Sequence, residues 1–229
     1  MVTEIILSLA GGLGLFLFGM KMMSEGIEKA AGAKLRSILE FFTKNRFTGM
    51  LVGIVFTAVV QSSSACTVMV VSFVNSGIMS LSQAVGVIMG ANIGTTVTSQ
   101  LVSFNLSKVA PAFVLLGILM VMFNKRLNVQ KIGEVLLGFG VLFMGLSIMG
   151  GAMEGIREMP SVTGLLASLR NPLLAVLVGF ILTAIIQSSS VTVSIVLLMA
   201  NQGLLDLPIC CFIILGCNIG SCVTALIAS

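Results

Sequence analysis

Long apolar runs alternate with short polar interruptions along the whole chain. Ile5 to Met23, Val109 to Phe123 and Val135 to Met149 are apolar almost without a break. Each reads as a membrane crossing or part-crossing, since a full helical span needs about 20 apolar residues. Between the first and second runs lie a polar connector, Ser24 to Arg46, and two apolar stretches with polar residues inside them. In the connector Ile27, Ala31, Leu35, Ile38 and Phe42 recur at helical spacing, with Glu28, Lys29, Lys34, Arg36 and Glu40 off that stripe. This pattern predicts an amphipathic helix lying at the membrane interface.

The chain repeats itself. Gln61-Ser62-Ser63-Ser64 returns as Gln187-Ser188-Ser189-Ser190, an offset of 126 residues. The same offset carries Gly90-Ala91-Asn92-Ile93-Gly94 onto Gly216-Cys217-Asn218-Ile219-Gly220. It also pairs Gly53, Thr57 and Ala58 with Gly179, Thr183 and Ala184, the turn Asn75-Ser76-Gly77 with Asn201-Gln202-Gly203, and Val97-Thr98 with Val223-Thr224, without a gap. Two apolar helices matched by chance share Leu and Val, not a polar tetrad. The chain therefore reads as one transmembrane domain, 1–229, built from unit one at 1–126 and unit two at 127–229. Ser229 corresponds to Ser103, so unit two has no partner for the Val109 to Phe123 run, and we expect the natural protein to continue.

The placement of Lys and Arg sets the orientation. Lys21, Lys29, Lys34, Arg36, Lys44 and Arg46 flank the first connector, Lys125, Arg126 and Lys131 cluster between the units, and the second connector, Gly150 to Arg170, has only Arg157 and Arg170. Placing both basic clusters in the cytoplasm starts unit one outside and unit two inside. Each unit then crosses an odd number of times, which makes the repeats inverted, as in secondary transporters. The expected fold class is an all-α polytopic membrane protein, an inverted-repeat secondary transporter with re-entrant hairpins and broken helices.

Composition agrees and excludes alternatives. Of 229 residues 57% are hydrophobic and 9% charged, against about 25% charged in a soluble domain, and mean hydropathy is +1.17. A soluble enzyme and a disordered tail are both excluded. The chain has no His, which removes imidazole bases, Ser-His-Asp catalysis and His metal sites. The five cysteines lie in apolar stretches without a CxxC pair and read as free membrane thiols. The net charge of +4 comes from loops beside spans and implies no nucleic-acid partner. The chemistry expected is not enzymatic, and no cofactor is expected.

The polar motifs carry the candidate function. No Asp, Glu, Lys or Arg lies between Phe47 and Ser107, and only Asp206 lies between Asn171 and Ser229. A polar tetrad there leaves several groups to satisfy in hydrocarbon. A single serine would be helix glue; a tetrad occurring twice predicts a break between half-helices, with hydroxyls and amides facing one polar cavity. We expect Gln61–Ser64 and Gln187–Ser190 to be hairpin tips and the Asn-Ile-Gly stretches to be broken spans, with Gly94 allowing a turn and Asn92, Thr95 and Thr96 capping. Half-helix N-termini favour anions, and freed carbonyls and hydroxyls favour Na⁺.

These paired motifs, each Gln-Ser-Ser-Ser followed by Gly-x-Asn-Ile-Gly, resemble the sodium/phosphate cotransporter family over nearly the whole chain. The resemblance implies Na⁺-coupled movement of inorganic phosphate by alternating access in a multi-pass plasma (inner) membrane protein. It implies substrate and ion contacts from Gln61, Ser62, Ser63, Ser64, Asn92, Thr95, Thr96, Gln187, Ser188, Ser189, Ser190, Asn218 and Ser221. Na⁺ is expected near Ser64, Asn92, Thr95, Ser190 and Asn218. Unit two departs from the pattern where Ser221-Cys222 replaces Thr95-Thr96. Expected partners are phosphate, sodium ions, the lipid bilayer, a second copy in a homodimer and a PhoU-like domain outside this chain. The alternatives are phosphate export on the same fold and a membrane-embedded sensor or scaffold whose polar cores are structural.

Overall fold

The structure, a computed structural model, describes residues 2–42, 45–104, 106–157, 164 and 169–228; the side chains of 2, 31–42, 156–157 and 228 are outside the description. Among the described residues the regular structure is helical. The helices are α1 (Val2–Phe42), α2 (Arg46–Val60), α3 (Ser63–Asn75), α4 (Leu81–Ser103), α5 (Ala110–Phe123), α6 (Leu127–Arg157), α7 (Pro172–Ile186), α8 (Ser189–Asn201) and α9 (Leu207–Ala228), with a 3-10 turn at Leu106–Lys108. Among the described residues four segments are long and apolar enough to cross a membrane: Thr3–Ala30, Leu81–Ser103, Leu127–Gly155 and Leu207–Ile227. The protein is an all-helical, polytopic membrane protein. Of the stripe expected on the first connector, Ala31, Leu35, Ile38 and Phe42 lie outside the described side chains.

Two compact units form, and each draws on both halves of the sequence. The first holds Met1–Ala30, Val102–Leu174 and Ile195–Cys210; the second holds Ala31–Leu101, Ala175–Ser194 and Cys211–Ser229. In the first unit α1 and α6 run antiparallel in backbone contact. A Cβ on Gly19 would sit 2.3 Å from the Leu142 nitrogen, and one on Gly12 would sit 2.9 Å from the Gly145 oxygen. Small residues allow this approach, which is how apolar helices gain packing energy where lipid removes the hydrophobic drive. α5 packs antiparallel on α6 through Gly117 against Leu137 and through Phe113 on Phe139, ring centroids 5.1 Å apart.

The second unit holds both polar tetrads. Gly86, Gly90 and Gly94 recur every four residues and form one seam on α4. A Cβ on Gly86 would meet the Arg46 oxygen at 2.1 Å, one on Gly90 the Met50 oxygen at 2.0 Å, and one on Gly94 the Ile54 oxygen at 2.6 Å. Both sets of numbers rise together, so α2 and α4 are parallel. The chain leaves α2 at one end and enters α4 at the other, so α3 must carry it back. α2 and α3, of 15 and 13 residues, are each about 20 Å long, too short for a hydrocarbon core of about 30 Å. They form a helical hairpin whose tip is the tetrad. The seam recurs in the other half, where a Cβ on Gly216 would meet the Val176 oxygen at 2.0 Å and one on Gly220 the Phe180 oxygen at 2.7 Å.

Candidate functional site

α2 begins on a capping box: Asn45 Oδ1 accepts from the Phe47 and Thr48 N–H groups, and Thr48 Oγ1 accepts from the Asn45 N–H. The helix ends at Gln61, which sits in the left-handed region at φ 59°, ψ 24° and donates its N–H to the Thr57 carbonyl at 2.8 Å. Gly or Asn would ordinarily fill such a position. Here the Gln side chain holds it. Its Nε2 donates to the Ala58 carbonyl at 2.5 Å, and its Oε1 accepts from the Thr98 hydroxyl on α4. The amide orientation is fixed by this network, because the Ala58 carbonyl can only accept. Ser62 is extended (φ −141°, ψ 101°), and its hydroxyl caps α3 by accepting from the Ala65 N–H at 3.2 Å. Ser63 and Ser64 thus start a helix whose first N–H groups have no carbonyl one turn earlier.

The second tetrad reproduces this turn. Gln187 has φ 59°; its N–H reaches the Thr183 carbonyl at 2.8 Å, its Nε2 the Ala184 carbonyl at 2.5 Å, and its Oε1 accepts from Thr224 at 2.7 Å. These are the only two non-glycine residues with positive φ among the described residues. The environments differ. Gln61 is 7% exposed and Thr98 2%, whereas Gln187 is exposed and Thr224 half-buried.

One turn before each Gln is a threonine that is 1% exposed. Thr183 donates to the Thr192 hydroxyl at 3.1 Å. Its counterpart Thr57 faces the Cys66 thiol, which stands where unit two has Thr192. The Thr57 hydroxyl closes no proper hydrogen bond with any described residue.

The other expected site residues are placed differently. Ser63, Ser189 and Ser190 are buried, and Ser62, Ser64 and Ser188 are half-buried. The helix is interrupted at both tetrads as expected, but not at the Asn-Ile-Gly stretches: α4 and α9 run through them. Gly94 and Gly220 are there for the close approach of α2 and α7 rather than for a turn. Asn92 and Asn218 cap nothing; they are exposed in mid-helix, on the side of their helices away from the glycine seam. Thr95 donates to the Ala91 carbonyl at 3.1 Å, Thr96 to Ile93 at 2.6 Å and Ser221 to Cys217 at 3.0 Å. Thr98 and Thr224 were not among the residues singled out for the site; the signal was their recurrence at one fixed distance from each Gln.

The site thus consists of apolar helices of spanning length with two matching breaks lined by neutral donors and acceptors. A family model described as Na⁺/Pi-cotransporter matches residues 15–151 and 157–229. The chain belongs to the Na⁺/Pi-cotransporter family. It is similar to "Uncharacterized protein YqeW" of Bacillus subtilis (strain 168), 32% identical over 226 residues, 98% of this chain and 73% of that protein. It is 28% identical over 223 residues to "Putative inorganic phosphate export protein YjbB" of Escherichia coli (strain K12), covering 97% of this chain and 41% of that one. It is 39% identical over 95 residues to sodium-dependent phosphate transport protein 2A of Rattus norvegicus, 41% of this chain and 15% of that one. The chain thus spans less than half the length of the phosphate-export relative. No solved structure matches it.

Proposed function

We propose that the protein moves inorganic phosphate across the plasma (inner) membrane by alternating access, coupled to Na⁺, with both tetrads as the substrate and ion region. The observation that carries this is the duplicated left-handed Gln, braced by a threonine at the start of a serine-rich helix, inside a family named for sodium and phosphate. Phosphate near neutral pH carries one to two negative charges. The N–H groups at the starts of α3 and α8 and the spare Nε2–H of each Gln suit an oxyanion. Each helix N-terminus supplies only about half a positive charge, so two of them leave a divalent anion uncompensated, and bound Na⁺ makes up the difference.

The hydroxyls support a cation. Thr67, Thr95, Thr96, Ser194 and Ser221 spend their hydrogens on carbonyls of their own helices. Their oxygen lone pairs are what remains to offer, which suits Na⁺ rather than an anion. Asn92 and Asn218, exposed on apolar helices, belong beside a polar path, since an amide is costly against hydrocarbon. In this reading the repeats are inverted, the tetrads face one cavity, and Na⁺ binds near Ser64, Asn92, Thr95, Ser190 and Asn218.

Export is the second reading, favoured by the name of the YjbB relative. The experiment is labelled-phosphate flux in liposomes with the Na⁺ gradient imposed in either direction. Flux that follows the gradient supports coupling, with the faster direction telling uptake from export. Flux indifferent to Na⁺ overturns the coupling, and no flux or binding at all overturns the transport reading in favour of a scaffold.

A further inference from the structure

A polar cavity of about 240 Å³ lies in the first compact unit, and no tetrad residue lines it. Glu154 and Ser147 line it from α6, Asn201 from the last position of α8, Gln202 from the turn that follows, and Ser107 from the 3-10 turn before α5. Gly150 and Gly151 keep it open. A Cβ on Gly151 would meet nothing within 4 Å, and one on Gly150 would meet only Leu198 at 3.6 Å and the Gln202 amide nitrogen at 3.8 Å. None of the described residues lining it is basic; Lys108, beside Ser107, does not line it. One carboxylate, two amides and two hydroxyls make an oxygen-rich, electronegative chamber with room for a partly hydrated ion.

The repeat supplies an independent pointer. The gapless offset sets Glu154 on Glu28 and Ser147 on Lys21. Repeat unit one thus carries its own ammonium on the helix of the acid, two turns away on the same face, and there Lys21 pairs with Glu25 at 3.8 Å. Repeat unit two has the acid, a hydroxyl at the position of the ammonium, and a cavity.

We propose that this cavity is a sodium-binding vestibule, with Glu154 as its charged ligand and Ser107, Ser147, Asn201 and Gln202 as neutral oxygen ligands. A single carboxylate matches a monovalent ion, whereas tight calcium sites gather more charge. Glu154 stands about 35 Å along α6 from Lys131, so it lies at the membrane face opposite the basic loop, the non-cytoplasmic one by the positive-inside rule. There it draws Na⁺ from outside. The choice of Na⁺ among cations rests on the coupling proposed above; the existence of a cation site does not.

The test follows radioactive Na⁺ binding and melting temperature of the full-length protein during NaCl titrations at constant ionic strength with choline. It uses the Asn92→Ala/Asn218→Ala background, which removes two of the oxygen ligands proposed for Na⁺ beside the hairpins. A saturable Na⁺ response should persist there. Glu154→Gln should weaken it about tenfold or more, and Ser147→Lys, placing an ammonium in the chamber, should abolish it. If the background variant does not fold, Glu154→Gln in the wild-type chain should remove one component of Na⁺ binding while leaving phosphate flux dependent on Na⁺. Unchanged Na⁺ binding in both Glu154→Gln and Ser147→Lys overturns the proposal, as does equal binding of K⁺ or binding of Ca²⁺ at far lower concentration. Failure of the hairpin reading would show separately, as normal phosphate flux in Gln61→Ala and Gln187→Ala.

Discussion

Thr98 donates its hydroxyl hydrogen to the side-chain carbonyl of Gln61, 37 residues earlier in the chain, and ties the hairpin tip to the span beside it. Thr224 does the same for Gln187 at the same separation. The two bonds differ in their access to water, and that difference sets the first prediction. Thr98→Val leaves the buried Gln61 carbonyl without its donor and should cost about 1–3 kcal/mol of stability. Thr224→Val should cost less than about 1 kcal/mol, because water reaches the exposed Gln187. Denaturation of the two variants in matched detergent decides this; equal losses would contradict it.

Removing the glutamine itself should act on transport. Gln61→Ala or Gln187→Ala deletes the amide that braces the turn and leaves a left-handed non-glycine residue unsupported. Each lost hydrogen bond to a charged ligand is worth roughly 1.5–3 kcal/mol, so phosphate affinity should fall about ten- to hundredfold. Gln61→Gly tolerates the backbone angle and still lacks the amide, so it should be more stable than Gln61→Ala, less stable than wild type, and transport as poorly as Gln61→Ala. Gln61→Glu adds a negative charge to a core without cations and should repel phosphate. Phosphate flux at varied Na⁺ is the measurement; wild-type kinetics in both Ala variants would assign the tetrads a purely structural role.

Thr57 and Cys66 make a sharper pair. Cys66→Thr installs the hydroxyl that Thr183 already has in Thr192, and it should stabilise the protein by about 0.5–1.5 kcal/mol. Thr57→Val removes a buried hydroxyl that closes no proper bond among the described residues, so it should be neutral or stabilising. Thr183→Val breaks a bond of 3.1 Å and should destabilise. Thermal unfolding of the three variants is the check: Thr183→Val should lower the melting temperature and Thr57→Val should not.

The glycine seam predicts which alanines are tolerated. Gly90→Ala and Gly216→Ala drive a methyl to 2.0 Å from a backbone oxygen of the neighbouring helix, so the helices must part, at about 2 kcal/mol or more. Gly14→Ala meets nothing within 4 Å and should stabilise α1 by up to about 1 kcal/mol. Expression and melting temperature in membranes provide the readout.

These glycines also explain where the sequence could be read and where it misled. The breaks at Gln61 and Gln187 were legible because a polar tetrad inside an apolar run has few ways to satisfy itself. Asn92-Ile93-Gly94 looked like a second break because Asn and Gly are turn residues. In the structure Gly94 is the third member of a four-residue spacing with Gly86 and Gly90, a helix-packing signature rather than a turn. The left-handed Gln was not legible: its backbone angle depends on two side-chain bonds, one of them to Thr98, and nothing local to the tetrad reveals the partner. The offset that pairs Val97-Thr98 with Val223-Thr224 contained that information, but only as evidence of duplication.

Every bond that shapes a tip is made inside one copy of the repeat. Gln61 is held by Thr57, Ala58 and Thr98, and Gln187 by Thr183, Ala184 and Thr224. Each copy thus carries, within its own stretch of chain, everything its turn requires. The two tips are self-contained parts, and a change in the partners of one leaves the hydrogen bonds of the other intact.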